Sequence, residues 1–274
     1  MKRVATIILN RNLPDVTDKL CEGIKKSEGD LTDVYVVEAG SDEDKLSENM
    51  TWYANWSEAK SNGLRYSRGM NYGLSQLFLE KKFEQYDFFM LLTNDVEFCQ
   101  ENSIKSLLQV FDKHSNIGIL SPCSPRWGER LLLDKEKTKY FWFIHNNAYM
   151  LRKEFIQAIA NYDEINFMGF LFDGSNFRGY GSESELIAKA YANDWGAAIT
   201  AEVFASENES YLFNQSDLIK TESYHENLRM YIEEGRVWMR NKYGFNSKWT
   251  MQRYVKSMYE GFFEYHPELR EYKI

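Results

Sequence analysis

Five apolar residues in a row, Phe88-Phe89-Met90-Leu91-Leu92, run straight into the polar trio Thr93-Asn94-Asp95. An unbroken run of this length describes a strand buried on both faces, the pattern of a parallel sheet covered by helices. Asp95 then stands at the carboxyl end of that strand, the edge at which open α/β sheets take their ligands. A carboxylate there, beside Asn94 and framed by apolar residues, is placed to hold a divalent cation. The same trio also serves simply to turn the chain.

Residues 4–9 (VATIIL) read as a first buried strand, with Asn10-Arg11-Asn12-Leu13-Pro14 as the loop at its end. Val16, Leu20 and Ile24 at helical spacing predict an amphipathic helix over about 15–26. Residues 34–37 predict a second strand, opening into Glu38-Ala39-Gly40-Ser41-Asp42. Strand, helix and strand make a βαβ unit, which brings both polar loops and Asp95 to one sheet edge. Glu38 is placed to accept from a nucleobase or ribose, as an acid after a strand does in dinucleotide folds. Taken alone, EAGSD reads first as a turn with helix-capping residues.

Trp52, Tyr53 and Trp56 precede NGLRYSRGMNYGL, in which Arg65 and Arg68 are one helical turn apart and either could meet a diphosphate. The plain alternative is a helix start with surface arginines. Gly69 and Gly73 permit close backbone approach. A GxxxxGK[ST] phosphate loop is absent here, and a GxGxxG is absent near the first strand, which argues against a dinucleotide oxidoreductase.

Composition narrows the class. With 274 residues and 43% apolar content, one large α/β domain with an appended helical part is affordable. Acidic residues outnumber basic ones by 41 to 33, a formal charge of -8, so nucleic acid is not the expected partner. The 16% aromatic content suits flat polar ligands such as sugars, although most such rings serve the core. Cys21, Cys99 and Cys123 are odd in number and widely spaced, which points to a reducing compartment and shows no metal spacing. No leader and no membrane span are read from the sequence, so a cytoplasmic protein is expected, with peripheral contact at a membrane left open.

Further along, a helix is expected over 102–114, a short strand over 117–120, a loop at Pro122 and Pro125, a charged irregular stretch over 126–139 and a strand over 140–144. His145, beside Asn146 and Asn147, reads as structural before it reads as a pocket residue. In GYGSESEL, Ser182 is a helix cap, with Glu183 in the first turn and Glu185 just after it. Capping acids are one reading, and a base held at a helix start is the other. Residues 197–204 read as a late strand, and 212–274 as mainly helical packing.

The order NRN, VVEAGSD, NGLRYSRGMNYGL and LLTNDVEF resembles the family 2 glycosyltransferases of the GT-A fold. The rhamnosyltransferase-like members, which carry a similar NDV at the metal position, look closest. The resemblance implies a central, mostly parallel sheet flanked by helices. It spans residues 1–205 as the nucleotide-sugar-binding and catalytic domain, with 206–274 as a helical extension packed on it. It assigns donor binding to Asn10, Asn12, Glu38, Arg68, Asn71, Asn94 and Asp95, with Mg²⁺ or Mn²⁺ on Asp95. The segment MLRKEFIQAIANYDE followed by GYGSESEL is similar to the family's RR-x-x-F…GGFDE…GYGEDVDL region. There the catalytic Asp falls on Glu183, the Glu before it on Ser182, and the following Asp on Glu185. Where many members have a metal-completing histidine, Ala205 and Ser206 stand here, and His225 is the next candidate.

The expected activity is inverting transfer of a sugar from a UDP- or dTDP-linked donor to a hydroxyl acceptor, in glycan or polysaccharide building. Two rivals stay open. One is a catalytically degenerate nucleotide- or sugar-binding module. The other is a nucleotidyltransferase, whose Gly-rich loop after the first strand NRNLPD lacks.

Overall fold

The computed structural model describes residues 3–126, 128–133, 137–144, 147–208, 210–211 and 223–274. The chain runs β1 (Val4–Asn10), α1 (Pro14–Glu28), β2 (Thr32–Glu38), β3 (Met50–Tyr53), α2 (Ser57–Asn62), α3 (Arg65–Leu79), β4 (Phe88–Thr93) and β5 (Val96–Phe98). It continues through α4 (Ser103–Lys113), β6 (Ile117–Cys123), β7 (Thr138–Tyr140), β8 (Ala148–Arg152), α5 (Lys153–Ile159), α6 (Ser182–Ala192) and β9 (Gly196–Glu207). Two long helices follow, α7 (Tyr224–Tyr243) and α8 (Lys248–Tyr265).

Among the described residues the strands form one sheet in the order β3-β2-β1-β4-β8-β6-β9-β5, with β7 on β9. The first four strands are parallel, as the buried apolar runs of β1, β2 and β4 lead one to expect; the short edge strand β3 carries no such run. The second half is mixed: β8 runs antiparallel to both β4 and β6, while β6 and β9 are parallel.

Two helical layers cover the sheet. In β1, Ile7 and Leu9 point to one face and Val4 and Ile8 to the other. A Cβ on Gly69 would lie 2.3 Å from Leu9, and one on Gly73 would lie 2.9 Å from Ile7, so α3 rests directly on the Ile7 face. Phe88, in register with Val4, packs against Phe111 of α4 with ring centroids 4.6 Å apart, which places α4 on the opposite face. The buried carboxylate of Glu28, at the end of α1, accepts from the Ile104 and Lys105 amides and caps α4 beside it. Val255, Tyr259, Phe262 and Phe263 of α8 belong to the same continuous core as the sheet residues. None of the described helices is long and apolar enough to cross a membrane.

Several sequence expectations shift. β6 continues through Pro122, expected in a loop, because the ladder to β9 is irregular between Pro122 and Cys123 and tolerates the missing donor. The aromatic strand lies at Thr138–Tyr140 rather than 140–144, pairing with β9 and followed by a turn. β3 and α2 occupy the Trp-rich stretch, which carried no clear period. β9 runs past residue 205, so the boundary drawn there falls inside a strand. His145 lies outside the described residues, as does the 212–222 part of the expected helical tail.

Candidate active site

The loops leaving β1, β2 and β4 meet at one edge and are bonded together. Asn10, fully buried at the end of β1, donates to both oxygens of Glu38 at 3.0 and 2.9 Å. Its own carbonyl oxygen accepts from the Asn94 amide at 2.8 Å and from the Leu13 backbone at 3.2 Å. Glu38 also accepts from the Ser41 hydroxyl and from the Ser47 backbone amide. Ser41 in turn accepts from the Asn12 amide, and Asn12 accepts from the Asp42 amide at 2.8 Å. Asn10, Asn12, Glu38 and Asn94 therefore form one network, through Ser41.

That network uses up Glu38. Glu38 is 0% exposed and accepts four bonds from three donors of the protein itself, so it shapes the rim from inside. Buried charge is tolerated only when bonded in this way.

Asp95 follows Asn94 in the turn between β4 and β5 and is half-buried. Its backbone carbonyl accepts from the Asn208 amide, tying the turn to the end of β9. Among the described residues no group of three or more His, Cys, Asp or Glu side chains is gathered as a metal site. A lone carboxylate is chemically able to bind a hard cation that completes its shell with phosphate oxygens and water. His225 sits exposed in the first turn of α7, its ring against Tyr224. A cavity of about 600 Å³ opens beside Asp95 between α1 and the start of α4, with Lys19, Gly23, Gln100 and Tyr211 among its walls. Neither α3 nor α6 lines it.

Arg68 and Asn71 face a different neighbour, the 167–177 segment. Asn71 is fully buried, donates to the carbonyls of Phe167 and Phe172, and accepts from the amides of Leu171 and Phe172. Arg68 donates to the Gly174 carbonyl at 2.8 Å and pairs with Glu58 at 3.0 Å. The guanidinium groups of Arg65, Arg68 and Arg178 surround the Phe177 ring at 5.6, 4.8 and 5.5 Å. Arg178 was not singled out by the sequence. Its nearness to the α3 arginines depends on how the 173–181 loop folds back.

Gly179 and Gly181, at φ +81° and +83°, turn that loop into α6. Gly181, not Ser182, occupies the cap position, and the Ser182 hydroxyl donates back to the Gly179 carbonyl. Glu183 follows in the first turn, where the helix dipole favours its charge. It is 4% exposed. One oxygen, Oε1, lies 2.7 Å from Lys248 Nζ at the start of α8. The other, Oε2, is buried and has no hydrogen-bond partner among the described residues. Nearby are the phenols of Tyr66 and Tyr149, bonded to each other at 2.7 Å. Burial first, and then the Glu183 charge, hold Tyr66 in its neutral form; burial, Tyr66 and the Glu183 charge do the same for Tyr149.

Glu185 is differently placed. Its Oε1 accepts from the Tyr243 hydroxyl and lies 2.8 Å from Lys242. Lys242 also pairs with Asp173 at 2.5 Å, and the Trp238 indole donates to Asp173 at 2.9 Å. Burial alone would raise the Asp173 carboxyl, but the bonds from Lys242, Ser175 and Trp238 outweigh it and hold it well below the usual carboxylate range.

No family model matches the sequence, and no curated protein matches it. Solved structures do. The chain superposes on the mannosyltransferase PcManGT from Pyrobaculum calidifontis, solved with GDP-Man and Mn²⁺, at a TM-score of 0.53 and 10% identity, covering 93% of this chain and 73% of that one. It superposes on GalNAc-T7, solved with UDP, GalNAc and Mn²⁺, at 0.56 and 9% identity, covering 96% of this chain and 56% of that one. For S. aureus TarS 1–349 with UDP-GlcNAc the values are 0.51, 11%, 88% and 74%. The chain has the GT-A fold. At such low identity the likeness speaks for the fold alone. In the GT-A fold seen here, the bonded network ties together the ends of β1, β2 and β4, with Asp95 next to it. The same GT-A sheet carries α3 and α6 with their arginines and Glu183.

Proposed function

We propose that this chain is an inverting glycosyltransferase, moving a sugar from a nucleotide-diphosphate donor, UDP- or dTDP-linked, to a hydroxyl of a glycan acceptor. The observation that carries the reading is the Glu183 carboxylate. One oxygen is held by an ammonium group, while the other, at the first turn of a helix, is a buried acceptor without a donor among the described residues. A buried polar atom left in this state calls for an explanation, and an incoming hydroxyl supplies one. The acceptor O–H gives its proton to Glu183 Oε2. Its oxygen then bonds to the anomeric carbon as the bond to the diphosphate oxygen breaks, the electron pair leaving with the diphosphate. A single displacement of this kind inverts the anomeric centre.

In this reading Asn10, Asn12 and Asn94 shape the nucleotide rim, Glu38 stiffens it from behind, and Arg68 and Asn71 hold the 167–177 segment over the donor side. Asp95 is the residue that would hold Mg²⁺ or Mn²⁺, which when bound supplies positive charge for the leaving diphosphate. The neighbours solved with GDP-Man, UDP-GlcNAc or UDP, two of them with Mn²⁺, support this choice of ligand class. A second reading, a nucleotide- or sugar-binding module without turnover, is favoured by the near-complete burial of Glu183.

Thermal shift with UDP, dTDP and GDP, each with and without Mn²⁺, tests the binding half, since a ligand selective for the folded state raises apparent stability. A Mn²⁺-dependent rise that Asp95→Asn removes is expected. An equal rise in the variant would take the metal role away from Asp95. Release of the nucleotide from its sugar in the presence of Mn²⁺ separates an enzyme from a binding module.

A further inference from the structure

We propose that Lys248 is the positioning residue for the Glu183 base, so that the C-terminal helices complete the catalytic site rather than merely pack beside it. The proposal rests on Glu183 acting as the base.

Lys248 is the first residue of α8, just after the Ser247 cap that accepts from Thr250. A cation at that end of a helix opposes the dipole and is unfavourable for the helix itself. What it gains is the 2.7 Å contact with Glu183 Oε1, made by side chains that are only 22% and 5% exposed. The ammonium is further framed by the Tyr180 ring at 4.9 Å and the Phe143 ring at 5.7 Å. A charge pair this dry is firmly held in place, and losing either member leaves the other charge buried.

The grip is one-sided. Lys248 takes Oε1, while Oε2 has no partner among the described residues, which fixes which oxygen faces an incoming hydroxyl. Among the described residues, the phenols of Tyr66 on α3, Tyr149 on β8 and Tyr231 on α7 stand near enough to feel the carboxylate charge. The helix that carries Lys248 is anchored, because Met251, Val255, Tyr259, Phe262 and Phe263 are buried along its following turns. By contrast Glu185, two residues on, is held by both Tyr243 and Lys242 on one oxygen and is a structural anchor.

The test uses the full chain, Mn²⁺, and release of nucleotide diphosphate from UDP-glucose, UDP-N-acetylglucosamine and dTDP-rhamnose, taking the donor cleaved fastest. Lys248→Met is expected to lower kcat by about ten- to a hundredfold, the scale of a misplaced catalytic group, with the donor KM within about twofold. Lys248→Arg is expected to restore most of kcat. In a Glu183→Gln background Lys248→Met is expected to add no further loss, because residues acting as a unit are not additive. If Lys248→Met melts below the assay temperature, Lys248→Gln takes its place.

Unchanged kcat in the Lys248 variants, with Glu183→Gln inactive, overturns the proposal and leaves the base intact. Full additivity of the two changes also overturns it, since Lys248 would then act elsewhere. A Glu183→Gln chain that turns over normally, or a wild-type chain that cleaves none of the donors, overturns the base reading and this proposal with it.

Discussion

Glu183 and Glu185 stand two residues apart on α6, and their surroundings assign them different tasks. Glu185 shares Lys242 with Asp173 and accepts from Tyr243, whereas Glu183 has one held oxygen and one without a partner among the described residues. Glu183→Gln keeps the size of the side chain but cannot accept a proton. It is expected to reduce nucleotide-sugar turnover by about a hundredfold or more, with donor affinity nearly unchanged in thermal-shift titrations. Glu185→Gln is expected to lower the melting temperature while the folded chain keeps its turnover, because Lys242 and Tyr243 lose a charged partner inside the fold. Loss of turnover in the Glu185 variant alone would mean that the motif has been aligned two residues out. His266 offers a residue-scale pH test. Burial would lower its imidazole, but Asp194 at 2.6 Å and Glu268 at 3.2 Å outweigh that and raise it. A raised folded-state value means that its stabilisation is fully present below the ordinary histidine range. It is then lost as pH rises through the raised value. Melting curves at pH 6 and pH 9 should therefore differ more for the wild-type chain than for His266→Gln. An equal difference would show that the two carboxylates do not act through this ring.

Among the elements, α3 sets the geometry on which the rest depends. Gly69 and Gly73 are four residues apart on one face and let the helix backbone press onto Leu9, Ile7 and Val37. That close approach puts Arg65 and Arg68 at the top of the helix, and lets Asn71 lock the 167–172 segment through four bonds. A side chain at Gly73 must displace branched core residues on two strands. Gly73→Leu is accordingly expected to cost about 3 kcal/mol or more from overpacking, measured by urea unfolding, while Gly23→Ala, in open space on α1, serves as the control. A Gly73→Leu chain as stable as the wild type would mean that α3 can move off the sheet.

Across the whole molecule, the C-terminal helices are part of the core. Tyr140 of β7 packs on Phe262 and Phe263, and Tyr191 of α6 packs on Tyr259 and Phe262. A chain ending at residue 207 would leave these rings and the start of α6 uncovered. It is expected to lose cooperative unfolding, judged by a calorimetric scan, and to aggregate through the exposed apolar surface. A sharp transition in that shortened chain would make 206–274 a separable extension instead.

Strands β1, β2 and β4, the helices α1 and α4, the shared edge of Asn10, Glu38 and Asp95, and the helix start at Glu183 were legible in the linear chain. All of these follow from local periodicity, turn chemistry and strand ends, which a linear reading can see. It placed β7 late and did not reveal β3. Those strands are short, and pairing with a distant partner forms them more than their own pattern does. Tertiary structure alone decided that Glu38 is consumed inside the rim. It also turned Asn71 toward the 167–172 segment, and brought Lys248 from the far end of the chain to within 2.7 Å of Glu183. A buried charge must find its partner wherever folding delivers one. Across the 65 positions that separate Glu183 from Lys248 no local pattern records the match, which is set by the packing of α8 against α6 and the sheet.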